Sequence, residues 1–495
     1  MDDSIQKLIA TRKNIDLLAR EDQLEVNILG WHGGRPYVEN RLSRFAGENK
    51  VQFSGGTREG DGSKITGRKD QTHVIPHLSR IVEKINQYVL KDVKRDGIDK
   101  DIQDKTGDNG DSIDNVMKEV NSYVTVTKWC WIGIDVPETL DEQISIEQKQ
   151  ASGIRPYWRV YSPLEVVDWY IDKSGTIQWL ITEENEYMAS DPLVAPEVIK
   201  VRRLWQPGQV TVLKFNSKNP EKVESVEVKS ISVDEVPFVL VNTLDAEPFY
   251  FDDLESVNRT IMDLESCNRT NYFNSVYAQM YLPRSALDSM MENNAITAES
   301  AVTKLMGFNY PIFIGQGDQT PGYIIPDASA IGTIRTEIDS LKKELMDAVG
   351  LGLQKESRQV ASAESKAWDH LDLEQVMKDR AKILEDAENK AIAISNKWDP
   401  DFIMYTATYP TKFDLTSFKE DMDALLSVGN ISMPKEMNQY VLGKIFDQVK
   451  KEYDITPEQD AKITEAIKVF GDDSSVIGEE VMAQIGMDEE EVPTK

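Results

Sequence analysis

Two strongly helical stretches between Ala330 and Trp398 constrain the fold of this chain more than any other feature. In the first stretch, apolar residues recur at alternating steps of three and four, which places them on one face of a helix. The spacing is that of a heptad seam, and it predicts a helix over 331–350 with one apolar stripe. The stripe consists of Ile331, Ile334, Ile338, Leu341, Leu345 and Ala348.

The second stretch predicts a much longer helix that begins near Ser362. It continues without proline or glycine until Asp399 and Pro400 end it. At about 1.5 Å per residue, such a helix is roughly 55 Å long, so we interpret it as a spine of the fold. Its apolar stripe contains Leu373, Val376, Ile383, Ala387, Ala391, Ile394 and Trp398.

A short polar interruption separates the two helices. Gly350 and Gly352 offer the open conformations that end a helix, and the residues from Leu353 to Gln359 have no apolar periodicity to bury. The sequence therefore predicts a loop between the helices. Its polar and charged members are Gln354, Lys355, Glu356, Arg358 and Gln359.

Charge and length exclude several classes of protein. A formal net charge of −29 argues against a protein that grips nucleic acid by neutralising phosphates. At 495 residues the chain has room for about three domains. We find neither a signal peptide nor an apolar run long enough to span a membrane. Cys130 and Cys267 lie far apart in the sequence, which favours reduced structural thiols over a bridge.

The first part of the chain predicts helices separated by exposed loops. Ile5 to Glu25 and His73 to Val93 carry helical periodicity. Phe53 to Gln71 is crowded with glycine and charge, so we expect a long exposed loop there. Asp92 to Asp114 is acidic and dotted with glycine, and we expect it to be mobile.

After a helical stretch from Val116 to Tyr123, the hydrophobic period changes from 3.6 to 2, which predicts a sheet-rich region. Tryptophans are frequent here, but basic residues are not interleaved with them, so we interpret them as sheet packing and not as a base-stacking surface. The tryptophans are Trp129, Trp131, Trp158, Trp169, Trp179 and Trp205. The predicted strands are Tyr123 to Val136, Tyr157 to Tyr161, Val166 to Ile171, Ile177 to Glu184, Ile199 to Gln206, Gln209 to Phe215, Ser225 to Ile231 and Pro237 to Asn242.

A helix with a partly polar face is predicted from about Asp252 to Met280. Two interpretations fit it: a helix that packs against copies of itself around a wet lumen, and an ordinary half-exposed helix. Two small strands follow, at Pro311 to Gly315 and Gly322 to Pro326. After the spine, Phe402 to Tyr409 alternates like a strand. Helices with breaks follow over 415–470, and then an acidic tail.

Patterns that carry chemistry are not found in the sequence. His73 and His77 have Pro76 between them and lack the glutamate of a zinc-protease helix, and His370 has no nucleophile that we can locate. The phosphate-binding glycine loop is missing as well. We therefore expect no catalytic residues, no metal site and no cofactor, and interpret the chain as a non-enzymatic protein.

The order of elements from Asp252 to Trp398 resembles the portal proteins of tailed bacteriophages. In that family a helix descends a ring, a small α/β excursion follows, a second helix returns, a loop enters a central channel, and a long helix begins with a small-residue motif. The motif resembles Ala361-Ser362-Ala363-Glu364-Ser365-Lys366-Ala367, although Ala363 stands where the family has glycine. The resemblance covers the middle third of the chain well and the rest only by compatibility.

This resemblance implies an α+β portal fold with a mixed α/β wing, a helical stem, a small α/β clip, a long spine helix and a helical crown. It divides the chain into 1–250 (wing), 251–281 (descending stem helix), 282–330 (clip), 331–350 (returning stem helix), 351–361 (channel loop), 362–412 (spine and closing wing strand), 413–472 (crown) and 473–495 (acidic tail).

The function that the resemblance implies is a dodecameric ring at one capsid vertex, assembled in the host cytoplasm, through which double-stranded DNA is packaged and ejected. The partners implied are the terminase large subunit, head-to-tail adaptor proteins, the major capsid protein and scaffold, with no membrane. Lys355, Glu356 and Arg358 would meet passing DNA or neighbouring loops, although a plain solvated turn also fits them. The seam residues Ile331 to Leu345 become candidates for the interface between subunits.

Another class of protein also fits the helices. A non-portal virion scaffold or adaptor would need only a plain antiparallel hairpin or coiled coil over 331–398. Closed rings with an axial hole would distinguish the portal from this alternative.

Overall fold

The structure is a computed structural model with two compact units, Met1–Phe413 and Asp414–Lys495. The fold is mixed α+β, which confirms the predicted class at that level. The portal-specific arrangement is a finer statement and stays a prediction. The structure describes residues 9–48, 50–57, 64–98, 100–136, 155–188, 197–216, 219–243, 251–276, 279–283, 312–314, 322–324, 329–348, 363–399, 405–411, 413, 439–440, 442–443, 446, 450, 460, 462–464 and 467.

The N-terminal helices are shorter than their periodicity predicts. The predicted helix from Ile5 to Glu25 is interrupted at 12–14, where Asn14 donates its backbone N–H to the carbonyl of Val167 at 2.8 Å. The Asn14 side chain then caps the next helix by accepting from the N–H of Asp16. The helices are α1 Ile15–Leu18, α2 Glu21–His32, α3 Gly34–Arg41, α4 Lys50–Ser54, α5 Arg68–Gln71, α6 His77–Val89, α7 Lys100–Asp104 and α8 Ile113–Thr127.

Fifteen strands in the described part of the chain form five sheets. The five-stranded sheet has the order β10-β9-β8-β7-β6 and one of the two three-stranded sheets has the order β11-β4-β5, and the strand pairs of both are antiparallel. The strands are β1 Gly56–Thr57, β2 Lys64–Ile65, β3 Lys94–Asp96, β4 Trp129–Asp135, β5 Tyr157–Tyr161, β6 Val166–Ile171, β7 Ile177–Met188, β8 Glu197–Gln206, β9 Gln209–Asn216, β10 Asn219–Ser230, β11 Phe238–Asn242, β12 Gln279–Pro283, β13 Ile312–Ile314, β14 Gly322–Ile324 and β15 Thr406–Thr408.

Two stretches that the sequence predicts to be loops contain regular structure. Within 53–71, β1 pairs with β2, and the guanidinium-bearing Arg68 of α5 is buried. Within 92–114, β3 pairs with β15, and Ile102 of α7 joins the apolar core. Two of these partners are distant in the sequence, because Arg68 binds Ser266, 198 positions away, and β3 pairs with β15.

Helix α8 extends further than predicted. The sequence predicts a strand from Tyr123, but the helix continues to Thr127 and β4 begins at Trp129. Val120, Val124 and Val126 are all buried, so this end of the helix is apolar on several sides and lacks the amphipathic period. Between helix and strand, Lys128 adopts a left-handed conformation with φ of 72°.

The sheet tryptophans pack as predicted. Trp131 and Trp158 are fully buried, Trp129 and Trp205 are buried, and Trp169 packs edge-on against Trp131 with ring centroids 5.5 Å apart. The largest apolar core joins helices α6 and α8 to strands β4 and β11 and to the spine helix described next.

The three long helices of the middle third confirm the predicted elements with shifted ends. They are α9 Phe251–Val276, α10 Ser329–Asp347 and α11 Ala363–Trp398. The helix predicted to reach Met280 ends at Val276, and strand β12 begins at Gln279. The 36 residues of α11 make it about 54 Å long.

Strand β12 lies between β13, to which it is parallel, and β14, to which it is antiparallel. The two small strands predicted from the sequence are thus both present, but each pairs with β12. After the spine, the predicted strand is β15, which pairs with β3.

The second unit is described only in scattered helical residues. Lys450 forms an ion pair with Asp460, and its ammonium lies 4.8 Å from the ring centroid of Phe446. Most of the predicted crown, 413–472, and all of the predicted acidic tail, 473–495, lie outside the described residues.

Candidate functional site

Helices α9 and α10 pack against each other as an antiparallel pair. The ammonium of Lys342 in α10 lies 2.9 Å from Oε1 of Glu265 in α9. Tyr272, which follows Glu265 on α9, and Ile331, which precedes Lys342 on α10, line the same groove. The two helices therefore run in opposite directions. The two helices correspond to those predicted over 252–280 and 331–350, and their assignment to a stem stays a prediction.

Burial is unequal along the pair. In α9 the buried residues extend from Phe251 to Ser266, and the described residues after Ser266 are half-buried or exposed. In α10 the gradient runs the other way, since Leu345 is 1% exposed while Ile331 remains partly exposed. The end of α9 and the beginning of α10 therefore extend away from the core, and β12 and β14 flank this end in the sequence.

The first half of α9 contacts its own chain through polar residues. Glu255 is buried and accepts from Arg41 Nε at 3.2 Å and from the hydroxyl of Tyr37 at 3.2 Å. Asn258 donates to the same hydroxyl at 3.3 Å. Burial, together with the Glu255 carboxylate, raises the pKa of Tyr37. Part of the polar character of this helix is thus satisfied within one chain.

Arg68 fixes α5 to α9. Its guanidinium donates to both carboxylate oxygens of Glu48 at 2.9 Å, to Ser266 Oγ at 2.6 Å, and lies 4.0 Å from the ring centroid of Phe45. The hydrogen bond from Arg68 lowers the pKa of Glu48. The last residue of α5 is bound to α9 as well, because Arg269 donates to the carbonyl of Gln71 at 2.8 Å.

A groove of about 1010 Å³ lies between α9, α10 and the segment that leads to α6. Its walls combine apolar side chains with residues of both charges. One amide oxygen in it, Oδ1 of Asn268, is buried and has no hydrogen-bond partner among the described residues. The groove is lined by Gln71, Thr72, His73, Ile75, Glu265, Ser266, Asn268, Arg269, Tyr272, Ile331, Arg335, Ile338, Asp339 and Lys342.

The five seam residues do not share one environment. Ile338 and Leu345 are buried within the chain, at 4% and 1% exposure. Ile331, Ile334 and Leu341 are only partly covered. The covered pair stabilises the packing of a single chain, and the other three remain the candidates for contact with another subunit.

The predicted channel loop falls where the structure gives no description. Gln354, Lys355, Glu356, Arg358 and Gln359 all lie in 349–362, outside the described residues. Their role therefore stays a prediction from the sequence.

The spine helix carries a buried polar cluster that the sequence did not reveal. Glu388 is fully buried and accepts from Arg95, Tyr405 and Tyr409. The carboxylate raises the pKa of Arg95, although burial opposes it. These partners lie on β3 and beside β15, so the cluster fastens both strands to α11.

A second buried charged residue, Arg380, precedes Glu388 on α11. Its guanidinium donates to Thr125 and, at 3.4 Å, to Asn121, both on α8. Burial lowers the pKa of Arg380 to about 9. No local sequence pattern identifies such residues, because their partners are 255 and 259 positions away.

Within the described ranges, no group of three or more histidine, cysteine or acidic side chains is arranged to hold a metal ion. Cys130 is buried and Cys267 half-buried, and both are free thiols. Burial is the main cause that raises the pKa of Cys130. None of the helices described is both long and apolar enough to cross a membrane.

The geometry of the α9–α10 pair, with its groove and partly covered seam, is thus the best-defined candidate site in the described residues. No protein-family model matches this chain, and no curated protein matches it either.

Proposed function

We propose that this chain is the portal protein of a tailed bacteriophage, a ring-forming conduit at one capsid vertex for the packaging and ejection of double-stranded DNA. In this proposal α9 and α10 form the stem, the small sheet of β12 to β14 belongs to the clip, and α11 is the spine. The terminase large subunit, head-to-tail adaptors, the major capsid protein and scaffold are the proposed partners. The chain acts without catalysis, at the portal vertex of the virion.

One observation carries the proposal. Helix α9 leaves the core, a small three-stranded sheet follows it, and α10 returns antiparallel to it before the long α11 begins. This order matches the stem, clip, stem and spine of the family that the sequence resembles.

The partly covered seam supports a ring. Ile331, Ile334 and Leu341 lie on α10 beside a groove, and further contact with another subunit would bury them. Identical subunits placed side by side with a constant rotation close into a ring when the rotation divides a full turn. The seam of one subunit would then face a different surface of the next.

The charge of the chain supports a conduit more than a binding protein. With a net charge of −29, a channel wall made from this chain repels phosphates, so DNA can slide along it. A basic wall would hold the DNA by releasing its counterions. Transport of a long duplex requires a wall that repels phosphates and lets the DNA slide.

The alternative, a helical scaffold or adaptor, rests on a hairpin formed by 331–398. In the structure α10 instead packs against α9, to which it is joined by an ion pair and with which it lines the groove. This packing favours the portal over the hairpin.

Electron microscopy of the purified full chain tests the proposal. Closed rings with an axial hole are the expected result, and native mass spectrometry of the same sample gives the number of subunits. Dimers or elongated particles at all concentrations would contradict the proposal and favour the adaptor.

A further inference from the structure

The two edges of the five-stranded sheet differ in what covers them. At β6, the backbone N–H of Asn14 donates to the carbonyl of Val167 at 2.8 Å, and the Asn14 amide donates to the carbonyl of Trp169 at 3.3 Å. The N-terminal segment therefore closes this edge. At the other edge, β10 pairs with β9 on one side, and none of the described strands lies on its other side. Such an edge is a template to which a further strand can add.

The last part of β10 is regular enough to pair with another strand. From Ser225 to Ser230 its register with β9 advances without interruption, whereas register shifts occur before Ser225. Val228 lies within this regular part and is 59% exposed although it is apolar. The edge therefore presents an uncovered apolar side chain on a straight stretch of strand.

Val228 is flanked by two opposite charges. Glu227 and Lys229 are two positions apart and lie on the same face of β10, where the Lys229 ammonium is 3.9 Å from the Glu227 carboxylate. Both side chains are accessible to solvent. Charges on an edge strand often prevent pairing, but this arrangement is complementary to itself. If two copies of β10 are placed antiparallel with their Val228 residues opposite each other, each Glu227 lies opposite Lys229 of the other copy.

The charges also select this register over its neighbours. An antiparallel pair centred on Glu227 or on Lys229 would place two like charges opposite each other, which is destabilising. A pair centred on Val226 would leave both charged residues without an opposite charge across the ladder. Only the register centred on Val228 pairs both charges of both copies.

We propose that the β10 edge is a docking surface for a second copy of this chain, whose own β10 adds antiparallel about a two-fold axis at Val228. The contact joins two five-stranded sheets into one and covers the exposed Val228 of each copy. It is the same surface on both copies, so it is distinct from a head-to-tail contact that closes a ring. This inference does not depend on the chain being a portal.

Disulfide crosslinking of the full chain tests the pairing. Opposite residues of an antiparallel pair have Cα atoms about 4.5–5.5 Å apart, which is within the span of a disulfide. Val228→Cys, oxidised by air with copper phenanthroline, should therefore give a crosslinked dimer in non-reducing electrophoresis that dithiothreitol reverses. The wild type, in which Cys130 is buried and Cys267 half-buried, gives the background.

Ser225→Cys is the matched control. It is exposed on the same edge, but its counterpart in the second copy lies too far along the ladder for a disulfide to reach. Its crosslinking should stay at the background of the wild type. If Val228→Cys does not crosslink more than both Ser225→Cys and the wild type, the proposal is overturned.

A charge exchange in the Val228→Cys protein tests the register. Lys229→Glu places glutamates opposite each other at two points and should slow the formation of the dimer by on the order of tenfold. Adding Glu227→Lys restores opposite charges with their signs exchanged, so the double exchange should recover the rate. This recovery separates a contact between copies from damage to the fold. An unchanged rate in Lys229→Glu, or no recovery in the double exchange, would refute the proposed pairing.

Discussion

Glu388 on the spine helix accepts a hydrogen bond from Nε of Arg95 at 2.6 Å, although the two residues are 293 positions apart. Both side chains are excluded from water, at 0% and 5% exposure. Two tyrosine hydroxyls, those of Tyr405 and Tyr409, complete the set of donors to this carboxylate. The ion pair thus stabilises a junction between the spine and a small two-stranded sheet.

Removing the charge of Glu388 should destabilise the first unit strongly. Glu388→Gln leaves the Arg95 cation buried without its carboxylate, and breaking a buried pair in this way typically costs about 3–5 kcal/mol. Urea denaturation followed by near-ultraviolet fluorescence measures the loss. Asp386→Asn, an exposed acidic position on the same helix, is the control and should change stability by less than about 0.5 kcal/mol. Equal effects of both substitutions would mean that the cluster is not important for stability.

Lys128 should make stability increase with pH. Burial, and secondarily Arg380, lowers its pKa from 10.5 to about 7. Between these values the unfolded chain binds more protons than the folded one, so the free energy of unfolding rises, by about 2 kcal/mol from pH 7 to pH 9. Lys128→Met should remove this increase.

Lys128→Gly provides the matching variant. It removes the same ammonium and also relieves the left-handed backbone at φ 72°, so it should be more stable than Lys128→Met by about 1 kcal/mol. Denaturation curves of the three proteins at both values of pH check the prediction. If both variants keep the pH dependence of the wild type, a group other than Lys128 causes it.

The two kinds of seam residue should respond differently to substitution. Ile338→Ala creates a cavity within one chain and should cost about 2–5 kcal/mol of stability. Ile334→Asp, at a partly exposed position, should leave the fold of the chain intact but prevent assembly. Thermal denaturation combined with light scattering separates the two effects.

Ser340→Asp is the control for the seam. It adds the same charge at an exposed position of α10 and should leave both the fold and the assembly unchanged. Rings that still form in Ile334→Asp would exclude this residue from the interface between subunits.

Deletion of 354–359 addresses the predicted channel loop. Because these residues lie between two helices and outside the apolar seam, rings should still form. Packaging or retention of DNA should be impaired if the loop meets the passing duplex. An unchanged yield of filled heads would remove the loop from the mechanism.

The sequence predicted those elements whose hydrophobic pattern is strong and one-sided. Helices α10 and α11 were found with ends a few residues from their predicted positions, because their apolar stripes recur at the helical period over several turns. The end of α8 was predicted wrongly as strand, since Val124 and Val126 are buried on opposite sides of one helix.

The polar part of the candidate site could not be predicted from local patterns. Arg68 lies in a stretch whose glycine and charge predict an exposed loop, and only the fold brings Ser266 to it. His77 was considered for metal binding together with His73 and set aside. In the structure its Nε2 is buried without a hydrogen-bond partner among the described residues, a consequence of helix packing that no local pattern encodes.

The pairing of β15 with β3 has a mechanical consequence. Any tension that enters the first unit from Phe413 reaches the ladder of Thr406, Ala407 and Thr408, and the two tyrosines bound to Glu388, before it reaches Trp398 at the end of α11. Three residue pairs and a buried ion pair would have to yield first. Load applied at the end of this unit is thus shared between β3 and the side of α11 at Glu388, and does not act on the end of the helix alone.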